Sequence, residues 1–485
     1  MIEVGFGEKN ERPIAPECRL VSDNRVAGGF SAYLGSDTVA LAVAIIVVVA
    51  ASILADSTLV SLLALLLFVA LATIRPAASV VAIPAVIGFV FQEIPFGHAR
   101  FSPQELLLVT TVTGVGLNGT WSILRARSFQ GVRYVFTEFR HRWQLFDATA
   151  LVLLIIGMIS LLTVALPAYR HESIRVFRWV ILEPVIYYFL ARWYLQKSET
   201  RQIAVVSFAG GAVLIAMIGL FDLATGRGLA VEGVTRISGV YPHPNALALF
   251  LERPFVMIVG IACVFRSNLN WKWLAAAGVV GVTLVLTFSR GAVIAAGVAI
   301  ILILLIGQRR RLAALASLAG LALFAGLAAT ASARIDNLFS GGSGSLRLAL
   351  WQSATNMIHD HLFFGIGLDQ FLYVYAPRYV KPQAWSERFT SHPHDIILDT
   401  WLSLGIMGIV LALAYLGILI WTTVRLARKR SSLGLAAAGA MFVGVFHGLV
   451  DNGYFLPDLA LIFWFLTAVI AAETFEKVGI DRQET

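Results

Sequence analysis

From about residue 38 onward the chain alternates long apolar runs with short polar or basic breaks. Bounded by charge, proline and glycine, the runs fall at about 38–55, 58–74, 78–95, 104–124, 146–168, 175–195, 201–222, 243–265, 271–287, 290–306, 312–331, 395–424, 432–448 and 456–473. Apolar runs of roughly 17–25 residues cross a ~30 Å hydrocarbon layer as helices. The pattern therefore predicts an all-α polytopic integral membrane protein with about 12–14 transmembrane helices. The expected organisation begins with a polar N-terminal tail over 1–35 and N-terminal transmembrane helices over 36–200. Helices separated by arginine-bearing loops follow over 201–331, then one large, partly helical external loop over 332–394. C-terminal helices over 395–475 and a short tail over 476–485 complete the chain.

Composition agrees with the pattern: 58% of residues are hydrophobic, only 14% are charged, and mean hydropathy is +0.80. A soluble domain carries nearly twice that share of charge. The net charge of +8 reads as an orientation signal rather than nucleic-acid binding, because basic residues collect in cytoplasmic loops. With the N-terminus inside, the clusters at 125–145, 197–201, 266–272, 309–311 and 425–430 share the inner side. Arg170 to Arg178 is the exception. Cys18 and Cys263 fit neither a disulfide framework nor a zinc site. The polar head does not resemble a signal peptide.

The same orientation leaves 223–242, the turn near 288–290 and 332–394 on the outer face. Arginines there oppose the orientation signal and need another cause. Arg236 precedes a helix mouth, in Arg-Ile-Ser-Gly-Val-Tyr-Pro-His-Pro-Asn245, where Pro244 and Asn245 are alternatively plain capping residues. Arg290 lies in the tight turn Ser289-Arg290-Gly291, and Arg347 on an amphipathic helix that puts Leu346, Leu350, Trp351 and Ala354 on one face. Guanidinium groups so placed suit a phosphate or pyrophosphate, with solvation or snorkelling as the plain alternative.

The stretch Ser391-His392-Pro393-His394-Asp395 leads directly into an apolar helix. As a metal site it lacks a third ligand in sequence reach, since His359 and His361 point apart at i, i+2 spacing. As a base, His394 gains from the helix N-terminus, which disfavours the imidazolium. Asp395, or Asp399 one turn on, opposes that effect or orients the ring. His447 and Asp451, at i, i+4, read as a structural pair.

Taken in order, these elements resemble the O-antigen ligase and O-antigen polymerase superfamily of bacterial membrane glycosyltransferases. The similarity runs over roughly 200–475 and rests on four motifs. They are the Arg236-to-Asn245 element, Thr287-Phe-Ser-Arg290-Gly-Ala, Gly365-Ile-Gly-Leu-Asp-Gln-Phe371, and His394-Asp395 followed by nine residues and Gly405-Ile-Met-Gly408. Asp395 departs from the neutral residue usual after the histidine. The resemblance implies a C-type glycosyltransferase fold in the bacterial cytoplasmic membrane, with its active site facing the periplasm. It also implies an undecaprenyl-type pyrophosphate-linked glycan donor and a glycan, lipid or protein acceptor hydroxyl, in lipopolysaccharide or other cell-envelope polysaccharide assembly. On that reading His394 is the catalytic base and Arg236, Arg290 and Arg347 hold the pyrophosphate. Asn245, Asp395 and His392 support them, and no metal or other cofactor is required. Repeat-unit polymerisation at the same site, and transport of a lipid-linked glycan without chemistry, are the competing expectations.

Overall fold

The computed structural model describes residues 36–475 apart from 56, 97–98, 127–129, 232–233, 265–269 and 331–342. The two polar tails, Cys18 and the first residues of the long loop lie outside the described residues. The helices in order are α1 (Ser36–Ala55), α2 (Thr58–Ile74), α3 (Pro76–Val86), α4 (Pro103–Ala126), α5 (Gln130–His141) and α6 (Leu145–Leu162). Next come α7 (Arg170–Phe177), α8 (Glu183–Tyr194), α9 (Ser198–Ala224), α10 (Pro244–Cys263), α11 (Trp271–Leu286) and α12 (Arg290–Ile306). The last six are α13 (Arg310–Thr330), α14 (Ser343–Asp360), α15 (Phe371–Arg378), α16 (Ile396–Arg428), α17 (Ser432–Gly448) and α18 (Pro457–Phe475). Two short hairpins, β1 (Ile94–Phe96) with β2 (Ala99–Phe101) and β3 (Leu229–Val231) with β4 (Val234–Arg236), are antiparallel.

The fold is thus an all-α polytopic membrane protein. Among the described residues, six helices are long and apolar enough to span a bilayer, and six shorter apolar helices accompany them. Three predicted spans are corrected. The run 78–95 ends at Phe89, beyond the internal Pro84, and its tail becomes β1. The run 175–195 is joined across a π-turn at Arg178–Leu182. The run 395–424 is broken at Gly405, whose φ of 68° and ψ of −167° divide α16 into a half-helix 396–404 and a longer helix after it.

That break is where the long loop docks. Ile366 N and Gly367 N donate to Leu402 O at 2.7 and 3.2 Å, and Ile406 N donates to Phe363 O at 3.2 Å. Gly365 also has φ 68°, and a Cβ on it would run into the Leu402 and Trp401 carbonyls. A Cβ on Gly405 would meet the Phe363 carbonyl. The two glycine motifs therefore interlock, because each needs the backbone of the other at closer range than a side chain permits. Beside them the loop has its own small core, with Leu350, Ala354, Met357, Phe371 and Tyr375 packed on Leu402.

Contacts place several connections at one end of the bundle. Ala165 N, just past α6, donates to Ile366 O at 2.8 Å, and Ser173 Oγ of α7 donates to Leu368 O at 2.6 Å. Ile237 N, after β4, donates to Leu286 O at 3.2 Å at the C-terminus of α11. The basic cluster 170–178 lies in this part of the structure, where Ser173 meets the long loop. Arg175 pairs with Glu172 and with Asp369 (3.7 Å), and Arg178 pairs with Glu105 and with Glu183 (3.2 Å). Arg175 and Arg178 are thus held in ion pairs.

Candidate functional site

At the end of the bundle that carries the long loop, the half-helix 396–404 begins with Asp395 as its N-cap. Asp395 Oδ1 accepts from Ile397 N at 2.8 Å and Leu398 N at 2.9 Å. Two orphan amides of the first turn are satisfied by this one carboxylate, the ordinary work of an N-cap. Asp395 is thus occupied and does not orient His394. Asp399 does not orient it either, being buried with Ser403 Oγ donating to it at 3.5 Å.

His394 precedes the cap with a φ of 54°, a left-handed conformation that is strained for a non-glycine residue. Its carbonyl accepts from Trp351 Nε1 of α14 at 3.4 Å. The ring Nδ1 lies 3.0 Å from Asp451 Oδ1. The predicted pairing of His447 with Asp451 is therefore not formed; His447 Nδ1 meets Glu252 Oε2 at 2.7 Å instead. His392 adds a second imidazole, its ring centre 4.3 Å from that of His394 and its Nε2 3.8 Å from Asp451 Oδ1. Arg347 Nη2 stands 3.7 Å from the other carboxylate oxygen, Asp451 Oδ2. Burial would raise the Asp451 carboxyl, but the two histidines outweigh it and hold it well below the usual carboxylate range.

The segment carrying Asp451 is fixed from behind. Asp451 Oδ1 accepts from Asn452 N at 2.8 Å, and Asn452 Oδ1 accepts from Tyr454 N and Phe455 N at 3.0 and 2.8 Å. Arg253, buried in α10, donates to Gly453 O at 2.8 Å and to Leu249 O. Gly444 leaves room for that guanidinium, since a Cβ there would lie 2.7 Å from Nη2. Gly448 and Gly453 pack directly on Ile396, the first residue of the half-helix. Buried charges in a membrane protein are costly unless paired. Here Glu252, Arg253 and His447 are buried and engaged, and they brace Asp451 against the helix that follows His394.

The Ser-Arg-Gly turn abuts the same segment. A Cβ on Gly291 would lie 2.6 Å from His447 Nε2 and 3.6 Å from Val450 Cγ2, so glycine is required for this approach. Arg290 is exposed at the first turn of α12, after Phe288 in a left-handed conformation of φ 54°. Arg236, buried at the end of β4, is one residue from the Ile237–Leu286 bond that ties its hairpin to α11 just ahead of this turn.

At the neighbouring helix mouth the cap is His243, not Asn245. His243 Nδ1 accepts from Asn245 N at 3.1 Å, with Pro244 at the first helical position. Burial pushes the His243 imidazole down, Arg236 and His394 add to that, and Asp451 opposes it. His243 therefore stands within electrostatic reach of the His394–Asp451 pair. Sequence reading passed over both His243 and the site role of Asp451. The available signals were a histidine between two prolines and a polar Asp-Asn-Gly island between apolar helices.

An apolar cavity of about 300 Å³ adjoins the half-helix, lined by Ile396, Ile397, Thr400, Leu404, Tyr415 and Tyr454 among others, with Arg253 in its wall. Such a space beside a polar cluster suits a ligand with an apolar chain and a charged head.

No curated protein matches the chain. Residues 274–413 match the O-antigen ligase family, a span that contains Arg290, Arg347, His392, His394 and Asp395 but not Arg236, His243 or Asp451. The protein is thus a multi-pass membrane protein whose residues 274–413 are similar to the O-antigen ligase family.

Proposed function

We propose that the protein transfers a glycan from a polyprenyl pyrophosphate to an acceptor hydroxyl, with inversion at the anomeric carbon and without a metal or nucleotide. The observation that carries this reading is the His394 Nδ1–Asp451 Oδ1 contact of 3.0 Å. With a proton on Nδ1 held by the carboxylate, the lone pair of His394 Nε2 is free to accept one. The acceptor hydroxyl gives its proton to Nε2, and its oxygen attacks the anomeric carbon. The bond from that carbon to the pyrophosphate oxygen breaks, and polyprenyl pyrophosphate leaves. Arg236, Arg290 and Arg347 meet the charge on the leaving group, which lowers the barrier as preorganised cations do. His392 and Asn245 are supporting residues on this reading, and Asp395 holds the half-helix that follows the base. The apolar cavity beside Ile396 supports a lipid-linked donor.

On this reading the site faces the periplasm from the bacterial cytoplasmic membrane, as the expected inward position of the basic clusters supports. Ligation of a finished polymer is favoured over polymerisation by the His394-Asp395-x9-Gly405-x-x-Gly408 motif. Purified protein given a polyprenyl-pyrophosphate glycan and an acceptor is expected to form product in the presence of a chelator. Donor binding without product would instead indicate a transporter. Arg290→Ala is expected to raise the KM for the donor about tenfold, the loss of one charge-assisted contact. In a deletion strain, accumulation of long lipid-linked polymers indicates ligation, and single repeats indicate polymerisation.

A further inference from the structure

We infer that His392, His394 and Asp451 also form a binding site for a borderline divalent ion such as Zn²⁺, and that the bound ion switches off transfer. The inference that transfer is blocked rests on the proposed role of His394; the metal site itself does not. One ligand atom from each residue falls in a group whose members all lie within 4.8 Å of one another. His394 Nδ1 and His392 Nε2 are 3.0 and 3.8 Å from Asp451 Oδ1. Ligands about 2.0–2.1 Å from zinc in a tetrahedron stand about 3.3 Å apart, so small ring rotations complete the set. Asp451 supplies the third ligand that the local sequence lacks.

The outer contacts fit as well. His392 Nδ1 lies 3.1 Å from Ser391 Oγ, a partner that leaves Nε2 directed at the other two ligands. Two imidazoles and one carboxylate leave a fourth position open and favour zinc-like ions over Mg²⁺ or Ca²⁺. His392 and His394 are partly exposed, which gives an ion access.

The same three atoms make metal binding and base catalysis exclusive. A metal takes the Nδ1 lone pair of His394, so the ring's proton must sit on Nε2. The Asp451 carboxylate exchanges an N–H donor for the ion. No proton is gained or lost by the neutral ring, but Nε2 no longer accepts one. The transfer reaction stops although every residue remains in place.

The test uses full-length protein in nanodiscs. Co²⁺ is titrated without substrate, and saturable, intense visible absorption of four-coordinate cobalt, displaced by Zn²⁺, is expected. His392→Ala, which leaves two ligands, is expected to weaken Co²⁺ binding at least about tenfold. In transfer assays Zn²⁺ should inhibit the wild type, a chelator should reverse it, and His392→Ala should need about tenfold more Zn²⁺ relative to its own metal-free rate. Absence of saturable cobalt binding overturns the site. Unchanged transfer at saturating metal, or equal inhibition of His392→Ala, overturns the switch. A protein that binds cobalt but transfers nothing under any condition contradicts the transferase reading instead.

Discussion

Two helix mouths bear on the candidate site, each opened by a histidine next to a proline, and the histidines are used in opposite ways. At α10 the His243 side chain is itself the cap, with Nδ1 accepting from Asn245 N. A neutral ring so engaged carries its proton on Nε2 and can only donate there. At α16 the cap is Asp395, which frees His394 to set its Nδ1 against Asp451 Oδ1. In the proposed mechanism that ring carries its proton on Nδ1 and accepts through Nε2. On that reading the capping residue decides whether the histidine beside it acts as a donor or as a base. Asp395 thus does at α16 the capping work that a histidine does at α10.

Several substitutions separate the two mouths. The largest effect is expected for His394→Gln, with the rate falling by on the order of 10²–10⁴-fold, the usual contribution of a positioned base. Product formation with unchanged donor binding checks it, and full turnover would remove His394 from the chemistry. Asp451→Asn should cost roughly 10²-fold, because an amide can present N–H to Nδ1 and favour the wrong tautomer. Asp395→Ala should lower stability by about 1 kcal/mol through the lost cap, with a smaller loss of rate, while Asp395→Asn or Ser restores both. Thermal unfolding in detergent and the transfer rate report the two effects separately. His243→Asn should be mildest, since asparagine caps a helix well and only the Nε2 donor is removed. A loss for His243→Asn as large as that for His394→Gln would break the comparison.

Much of this was legible in the sequence. Spans such as 58–74 and 290–306 coincide with α2 and α12, because apolar length and bounding charge decide them alone. His394, Arg290 and Arg347 were placed near one functional end by the same pattern. The half-helix was not legible, since Gly405 in an apolar run reads as an ordinary helical residue until the loop at Gly365 docks on it. Asp451 was misread for a related reason. It is 57 residues from His394, and its local neighbour at i, i+4 looked a sufficient partner. Glu252, in a different helix, takes that neighbour, so long-range pairing decided what spacing did not. The partners of Arg175 and Arg178, Asp369 and Glu105, are likewise remote in sequence.

The central claim concerns the position of one proton, and ¹⁵N spectroscopy of selectively histidine-labelled protein in nanodiscs measures it directly. His394→Gln and His243→Asn assign the two signals. His394 is expected to carry its proton on Nδ1 with an unprotonated Nε2, and His243 to show the reverse. A His394 ring with its proton on Nε2 in the metal-free protein would contradict it.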